Sequence, residues 1–186
     1  MTGRPRAILA AAALPLAVIL LLAGCSSGGT PAAKALPAAK SFTLKELDQP
    51  GRQISLAAYA GKPVIINFFA SWCTPCQKET PLLAKFYQSS HGKVVIIGVD
   101  ANDQSGPAEK FVRASGVGYP VAVDPFPAKT TTSYGVFALP QTFFLNARHR
   151  IVKKIIGGVT LTQLTKGVAL MDTRNTSLAA GAQGQG

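Results

Sequence analysis

Acidic side chains are scarce in this chain: 8 Asp and Glu stand against 19 Lys and Arg, a formal balance of +11. A balance of that sign admits nucleic acid, an anionic membrane surface or acidic partners. The basic residues are scattered, with no run longer than Lys153-Lys154, so a solvated basic surface accounts for them. No interleaving of aromatic and basic residues suggests a base-stacking platform, and nucleic acid is not expected as a partner. Long hydrophobic runs are also missing. The one continuous apolar stretch, residues 7–23, holds 17 residues, which excludes a multi-span membrane protein. Histidine is limited to His91 and His149, and cysteine to Cys25, Cys73 and Cys76. There is no internal repeat. What is present is enough apolar material, 47% of 186 residues, to build a core, so a wholly disordered chain is excluded. The length suits one domain with tails.

The N-terminus reads as an address. Residues 1–6 are short and basic, 7–23 are apolar, and small residues follow, the three parts of a secretory signal. Leu22-Ala23-Gly24-Cys25 resembles the lipobox of bacterial lipoproteins. That resemblance implies cleavage after residue 24 and a lipidated Cys25 at the mature N-terminus, on the extracytoplasmic face of a bacterial cell membrane. The alternative is an uncleaved anchor, for which 17 residues with Pro15 among them are marginal. Both readings export the domain and hold it at a membrane. Removal of residues 1–24 takes away Arg4 and Arg6 and leaves +9.

Residues 25–40 are then the lipidated cysteine and a Gly/Ser/Pro/Ala tether without apolar periodicity. Fifteen such residues reach roughly 50 Å fully extended, and about 20 Å as a coil. Residues 41–174 carry the folded domain, and 175–186 are small, polar and expected to be disordered. Within the domain, Phe42-Thr43-Leu44 and Gln53-Ile54-Ser55-Leu56 flank the turn signal Asp48-Gln49-Pro50-Gly51, a β-hairpin pattern. Near-continuous apolar runs at 63–69 and 93–99 read as strands buried on both faces. Helices are expected at 74–89, kinked at Pro81, and at 105–114, 128–134 and 161–171, with strands at 121–123, 141–145 and 150–156. Strands alternating with helices, then a terminal hairpin and helix, indicate an α/β fold.

The sharpest feature is Trp72-Cys73-Thr74-Pro75-Cys76, where a buried strand gives way to a helix. A helix N-terminus stabilises a thiolate through its dipole and its free N–H groups. Cys73 at that end is the expected nucleophile. Cys76, one turn in, would resolve a mixed disulfide. Pro75 is tolerated in the first turn, where its missing N–H costs little. Half of a zinc site is an alternative, but the two isolated histidines and a lipidated third cysteine supply no further ligands. A purely structural disulfide is another, although so short a loop yields little entropic stabilisation.

Phe68-Phe69-Ala70-Ser71-Trp72-Cys73-Thr74-Pro75-Cys76 resembles the active-site strand and turn of thioredoxin-like proteins. Asn67 stands where thioredoxin itself has a buried acid. That departure, with Phe42-Thr43-Leu44, Gly61-Lys62-Pro63 and Glu79-Thr80-Pro81-Leu82, resembles the TlpA/ResA/DsbE branch of membrane-tethered exported thiol-disulfide oxidoreductases. The resemblance spans about residues 41–171. It implies a thioredoxin fold, a central mixed sheet flanked by helices, with an added N-terminal β-hairpin. It implies a redox-active Cys73–Cys76 disulfide and no other cofactor or metal. It carries Pro140 over as a cis-proline facing the two cysteines, with Leu139 before it pairing with the substrate chain. It carries Glu79 over as an acid near the resolving thiol, the best acid/base for Cys76 with Asn67 neutral. Trp72, Thr74 and Pro75 would shape the docking face. Asp100 reads as a strand-end turn residue, Pro120 and Asp124 as local backbone features, and His149 as solvent-facing.

Three uses of such a site compete. A reductant would keep exported thiols reduced, as relatives do for apocytochrome c, and would draw electrons from a membrane partner of the DsbD/CcdA type. An oxidant would insert disulfides instead. A copper-handling lipoprotein would use soft thiolates on Cu(I), but no dedicated histidine can be assigned. A peroxidase is disfavoured by the dithiol spacing. The expectation is a monomeric reductant acting on protein thiols and disulfides.

Overall fold

A computed structural model describes residues 35–182, with side chains through Asp172. The signal segment, Cys25 and the tether up to residue 34 lie outside the described residues, as do residues 183–186.

Strand β3 (Val64–Phe69) has all six residues buried and lies inside the sheet. Its alternation divides the core. Val64, Ile66 and Phe68 point to one side, and Ile65 and Phe69 to the other. Asn67 shares the second side and is the lone polar residue of the strand. The remaining elements are β1 (Thr43–Glu46), β2 (Gln53–Ser55), α1 (Thr74–Ser89), β4 (Val95–Ala101), α2 (Ser105–Ala114), β5 (Val121–Asp124), α3 (Lys129–Ser133), β6 (Gln141–Leu145), β7 (Ile151–Ile156) and α4 (Leu161–Ala182).

The seven strands run in the order β2-β1-β5-β4-β3-β6-β7. The β3–β4 and β4–β5 pairs are parallel and the others antiparallel, so the sheet is mixed. The N-terminal hairpin is present as β1–β2, and β1 also pairs with β5, which makes the hairpin one edge of the main sheet. Leu83 of α1, Ala108 and Val112 of α2, and Leu164 and Met171 of α4 cover the Ile65–Phe69 side. Phe42, Leu56, Tyr134 and Val136 cover the other. Gly167 lets α4 approach, because a Cβ there would lie 2.2 Å from the buried Phe144 ring.

Three stretches differ from the sequence expectation. Residues 36–40, expected as tether, lie against the domain: Leu36 packs on the core, Ala38 bridges Arg150, and Ile151 N–H donates to Pro37 O at 2.8 Å. Helix α4 runs on to Ala182, through a stretch expected to be unstructured. His149, expected in solvent, is half-buried, with Nε2 3.1 Å from the Tyr59 carbonyl oxygen. The β6–β7 turn folds back on the segment after β2, a contact between residues 90 positions apart that no local pattern encodes.

Candidate active site

The parallel strands β3 and β4 end at the same pole, and the site is built there. After β3 the chain passes through Ala70, Ser71 and Trp72 into Cys73, the N-cap of α1. Ser71 is held on both sides. Its N–H donates to Asp103 Oδ2 at 2.5 Å, and its C=O accepts from Gln77 Nε2 at 2.7 Å. Asp103 lies in the loop after β4, and its Oδ1 also accepts from Gln104 N–H at 2.7 Å. The same loop accepts the Trp72 indole N–H at the Asn102 carbonyl, 3.3 Å away. Trp72 is nonetheless 60% exposed.

Cys73 and Cys76 are joined as a disulfide, with Cα atoms 5.2 Å apart. Their surroundings differ. Cys76 is fully buried, whereas Cys73 retains 5% exposure at the helix tip. The Cys76 backbone N–H points at Cys73 Sγ, 3.3 Å away. It is one of the N–H groups that a helix start leaves without a carbonyl partner, aimed at the atom that would carry a thiolate's charge. Thr74 and Pro75 form the exposed first turn. Pro81 sits inside α1, and the Thr80 hydroxyl just before it donates to the Cys76 carbonyl at 2.8 Å.

The Leu139–Pro140 peptide bond is cis. Gln141, the next residue, pairs with Phe68, which sets Pro140 at the end of β3 from which Cys73 emerges. Pro140 C=O accepts from Gly157 N–H at 2.9 Å. Leu139 is half-buried and packs on both sides of the core. Its own N–H and C=O have no hydrogen-bond partner among the described residues.

Glu79 is buried, one turn beyond Cys76. Its Oε1 accepts from Asn67 Nδ2 at 2.8 Å and its Oε2 from Val159 N–H at 2.7 Å. Burial pushes its pKa up, and the bonds from Val159 and Asn67 pull it back part of the way. Asn67 Nδ2 also donates to Thr142 Oγ1 at 3.1 Å, so one amide ties β3, α1 and β6 together.

Two features escaped the sequence reading. Asp100 is not the strand-end turn residue that its position after an apolar run suggests. It is 1% exposed inside β4, and both its carboxyl oxygens lack a hydrogen-bond partner. Burial, with the charge of the neighbouring Asp103, pushes its pKa up to about 8. The signal was available: an acid ends an apolar run that continues into the sheet, since Ala101 still pairs with Asp124. The second feature is the left-handed Asn102 (φ 53°), which turns the loop toward Trp72. Asp124 is a backbone feature, as expected: it accepts from Thr130 N–H and Thr131 N–H at the start of α3. Among the described residues no group of three or more His, Cys, Asp and Glu is placed to hold a metal ion.

Residues 37–154 match the AhpC/TSA family. The chain is 36% identical to the thiol-disulfide oxidoreductase ResA of Bacillus thuringiensis (strain Al Hakam) over 127 residues, 68% of this chain and 72% of that protein. Against ResA of Bacillus subtilis (strain 168) the identity is 33% over 141 residues, 75% and 76% of the two chains. Among solved structures, StoA from Bacillus subtilis is similar with a TM-score of 0.60 and 27% identity, covering 70% of this chain and 98% of that one. A DsbF homologue from Corynebacterium diphtheriae has a TM-score of 0.63 and 28% identity, covering 72% and 85%.

Proposed function

Since the chain belongs to the AhpC/TSA family and is a thiol-disulfide oxidoreductase of the ResA/DsbE type, we propose that it serves as an exported, membrane-tethered reductant of protein disulfides. The observation that carries the assignment of roles is the asymmetry of the pair. Cys73 stands at the helix tip with an N–H aimed at its sulfur, and Cys76 is sealed behind it.

In the reduced protein the Cys73 thiolate attacks one sulfur of a substrate disulfide, and the other substrate sulfur leaves as a thiolate. The Cys76 thiol gives up its proton, for which Glu79 is the acid/base at hand on the same helix. Its sulfur then attacks Cys73 Sγ, the mixed disulfide breaks, and the second substrate sulfur is released. Two electrons have passed to the substrate, and the Cys73–Cys76 disulfide remains. A thiol donor in the membrane, of the DsbD/CcdA type, returns the electrons. Leu139 N–H and C=O, unpaired among the described residues and beside the cis bond, suit an extended substrate chain. Apocytochrome c fits as the substrate class, and Cys25 as the lipid anchor.

The direction is supported by the charges around the site. The ionisable side chains hydrogen-bonded into it, Asp103 through Ser71 and Glu79 through Asn67, are acids. Acidic neighbours disfavour a thiolate, which makes the reduced form less stable and the dithiol a better electron donor. Equilibration of the full chain against dithiothreitol or glutathione buffers is expected to give a potential near or below about −270 mV, and a value approaching about −120 mV would make it a disulfide-inserting oxidant. Cys73→Ala is expected to abolish attack on substrate disulfides, and Cys76→Ala to accumulate mixed disulfides through Cys73. Equal trapping by the two variants would overturn the roles.

A further inference from the structure

The described residues include five large hydrophobic side chains that remain exposed: Trp72, Phe126, Phe137, Ile156 and Leu161. They are not scattered. Trp72 adjoins Cys73. Ile156 pairs with Gln141, next to Pro140, and Leu161 follows two residues after Val159, the partner of Glu79. Phe137 lies two residues before Leu139. Phe126, 82% exposed, lies two residues before Ala128, which lines the same cleft as Phe137. Exposed apolar side chains gathered at one pole mark a contact surface.

Between Trp72 and Phe137 runs a cleft of about 370 Å³. Ala101, Val136 and Leu139 form its apolar walls, and none of its lining residues carries a charge. The one hydroxyl in the lining, Thr131 Oγ1, is already committed to Asp124 at 2.6 Å. The Asn102 carbonyl is committed to the Trp72 indole. A charged side chain entering here would lose water and find no counter-charge. An aliphatic or aromatic side chain would exchange water for apolar walls. Phe137, 89% exposed, contributes almost nothing to the core, so its place at the rim is not explained by folding.

We propose that the Trp72–Phe137 cleft is a side-chain subsite that selects substrates carrying an uncharged apolar residue two positions from the reactive cysteine. The inference rests on the oxidoreductase reading above and names the substrate class for that same site. The occupant follows from continuity with the exchange site: the cleft is walled by the residue next to Cys73 and the residue next to Pro140. A substrate segment pairing with Leu139 N–H and C=O, which have no partner among the described residues, is extended. Its side chains alternate, and residues two apart lie on one face, about 7 Å from each other. With its cysteine at Cys73, the side chain two positions away faces the cleft.

The test uses the full-length reduced chain in detergent and symmetrical disulfide dimers of short cysteine peptides. The peptides differ only at the position two before or two after cysteine, which is Leu, Phe, Ser, Asp or Lys. The Leu or Phe peptide, at one of the two positions, is expected to exceed its Ser, Asp and Lys counterparts at least tenfold in kcat/KM. In Phe137→Ser that ratio is expected to fall below about threefold. Equal kcat/KM across the peptides would overturn the subsite and leave the oxidoreductase standing, as would a preference that survives Phe137→Ser. Failure to reduce any peptide or any small disulfide would sink both.

Discussion

Two carboxyls are buried on the α1 side of the sheet, and they are buried in opposite ways. Glu79 meets a donor at each oxygen, Asn67 Nδ2 and Val159 N–H. Asp100 meets none, and its neighbour is a second acid, Asp103. Burial raises both pKa values. At Glu79 the two donors oppose the rise, and at Asp100 the neighbouring carboxylate adds to it, up to about 8. Burial therefore does not settle whether an acid stays charged. The donors brought to it do. Glu79 is held by a donor at each oxygen, one helical turn from Cys76. Asp100 is arranged to hold a proton, facing the carboxylate of Asp103, which pins Ser71 in the loop that also holds Trp72.

The comparison predicts opposite outcomes for the same chemical change. Glu79→Gln puts an NH2 group against Asn67 Nδ2 or Val159 N–H, donor against donor. It is expected to destabilise the oxidised protein by about 1–3 kcal/mol in urea unfolding. Asp100→Asn keeps the shape of the side chain, breaks no hydrogen bond and removes an ionisation. It is expected to be close to neutral at pH 5 and stabilising at pH 9. Equal losses from the two substitutions would break the contrast.

The pH dependence of stability sharpens it. An Asp of ordinary pKa 3.8 that rises to about 8 on folding keeps its proton where the unfolded chain loses it. Its contribution to stability is full below the unfolded value and drains as pH rises through the folded one. The slope between is at most about 1.4 kcal/mol per pH unit. Asp100→Asn is expected to flatten that part of the stability profile. The smallest effect is spectroscopic. Trp72 is the only tryptophan of the chain. In the oxidised protein, where neither Cys73 nor Cys76 titrates, its fluorescence is expected to change with a midpoint near pH 8. Ionised Asp100 then faces Asp103 as a like charge and loosens the loop that holds the indole. A transition that persists in Asp100→Asn would belong to another group.

Much of the frame was legible from local pattern. Helices α1 and α2 and strand β6 occupy 74–89, 105–114 and 141–145, as their periodicity and flanking signals predict. Strand β4 begins and ends two residues later than expected. His91 and Gly92 both take positive φ and prolong the turn after α1, while pairing of Ala101 with Asp124 extends the far end. Of the candidate site, the Cys73–Cys76 pair and Pro140 were legible because their chemistry is local: two thiols across one helical turn, one X-Pro bond before a strand. Phe137 was not. It is one of 9 phenylalanines, and nothing in its neighbours distinguishes a rim residue from a core residue.

What the sequence determined by itself is the order of elements and the placing of a dithiol at a strand-to-helix junction, since hydrophobic period and helix-start chemistry act over a few residues. What tertiary structure decided is which groups face that dithiol. Asn67 meets Thr142 across 75 positions, Glu79 meets Val159 across 80, and the cleft joins Trp72 to Phe137. Hydrogen-bond donors and apolar walls acquire their meaning only when the sheet order has brought them together, and that order is a property of the whole core.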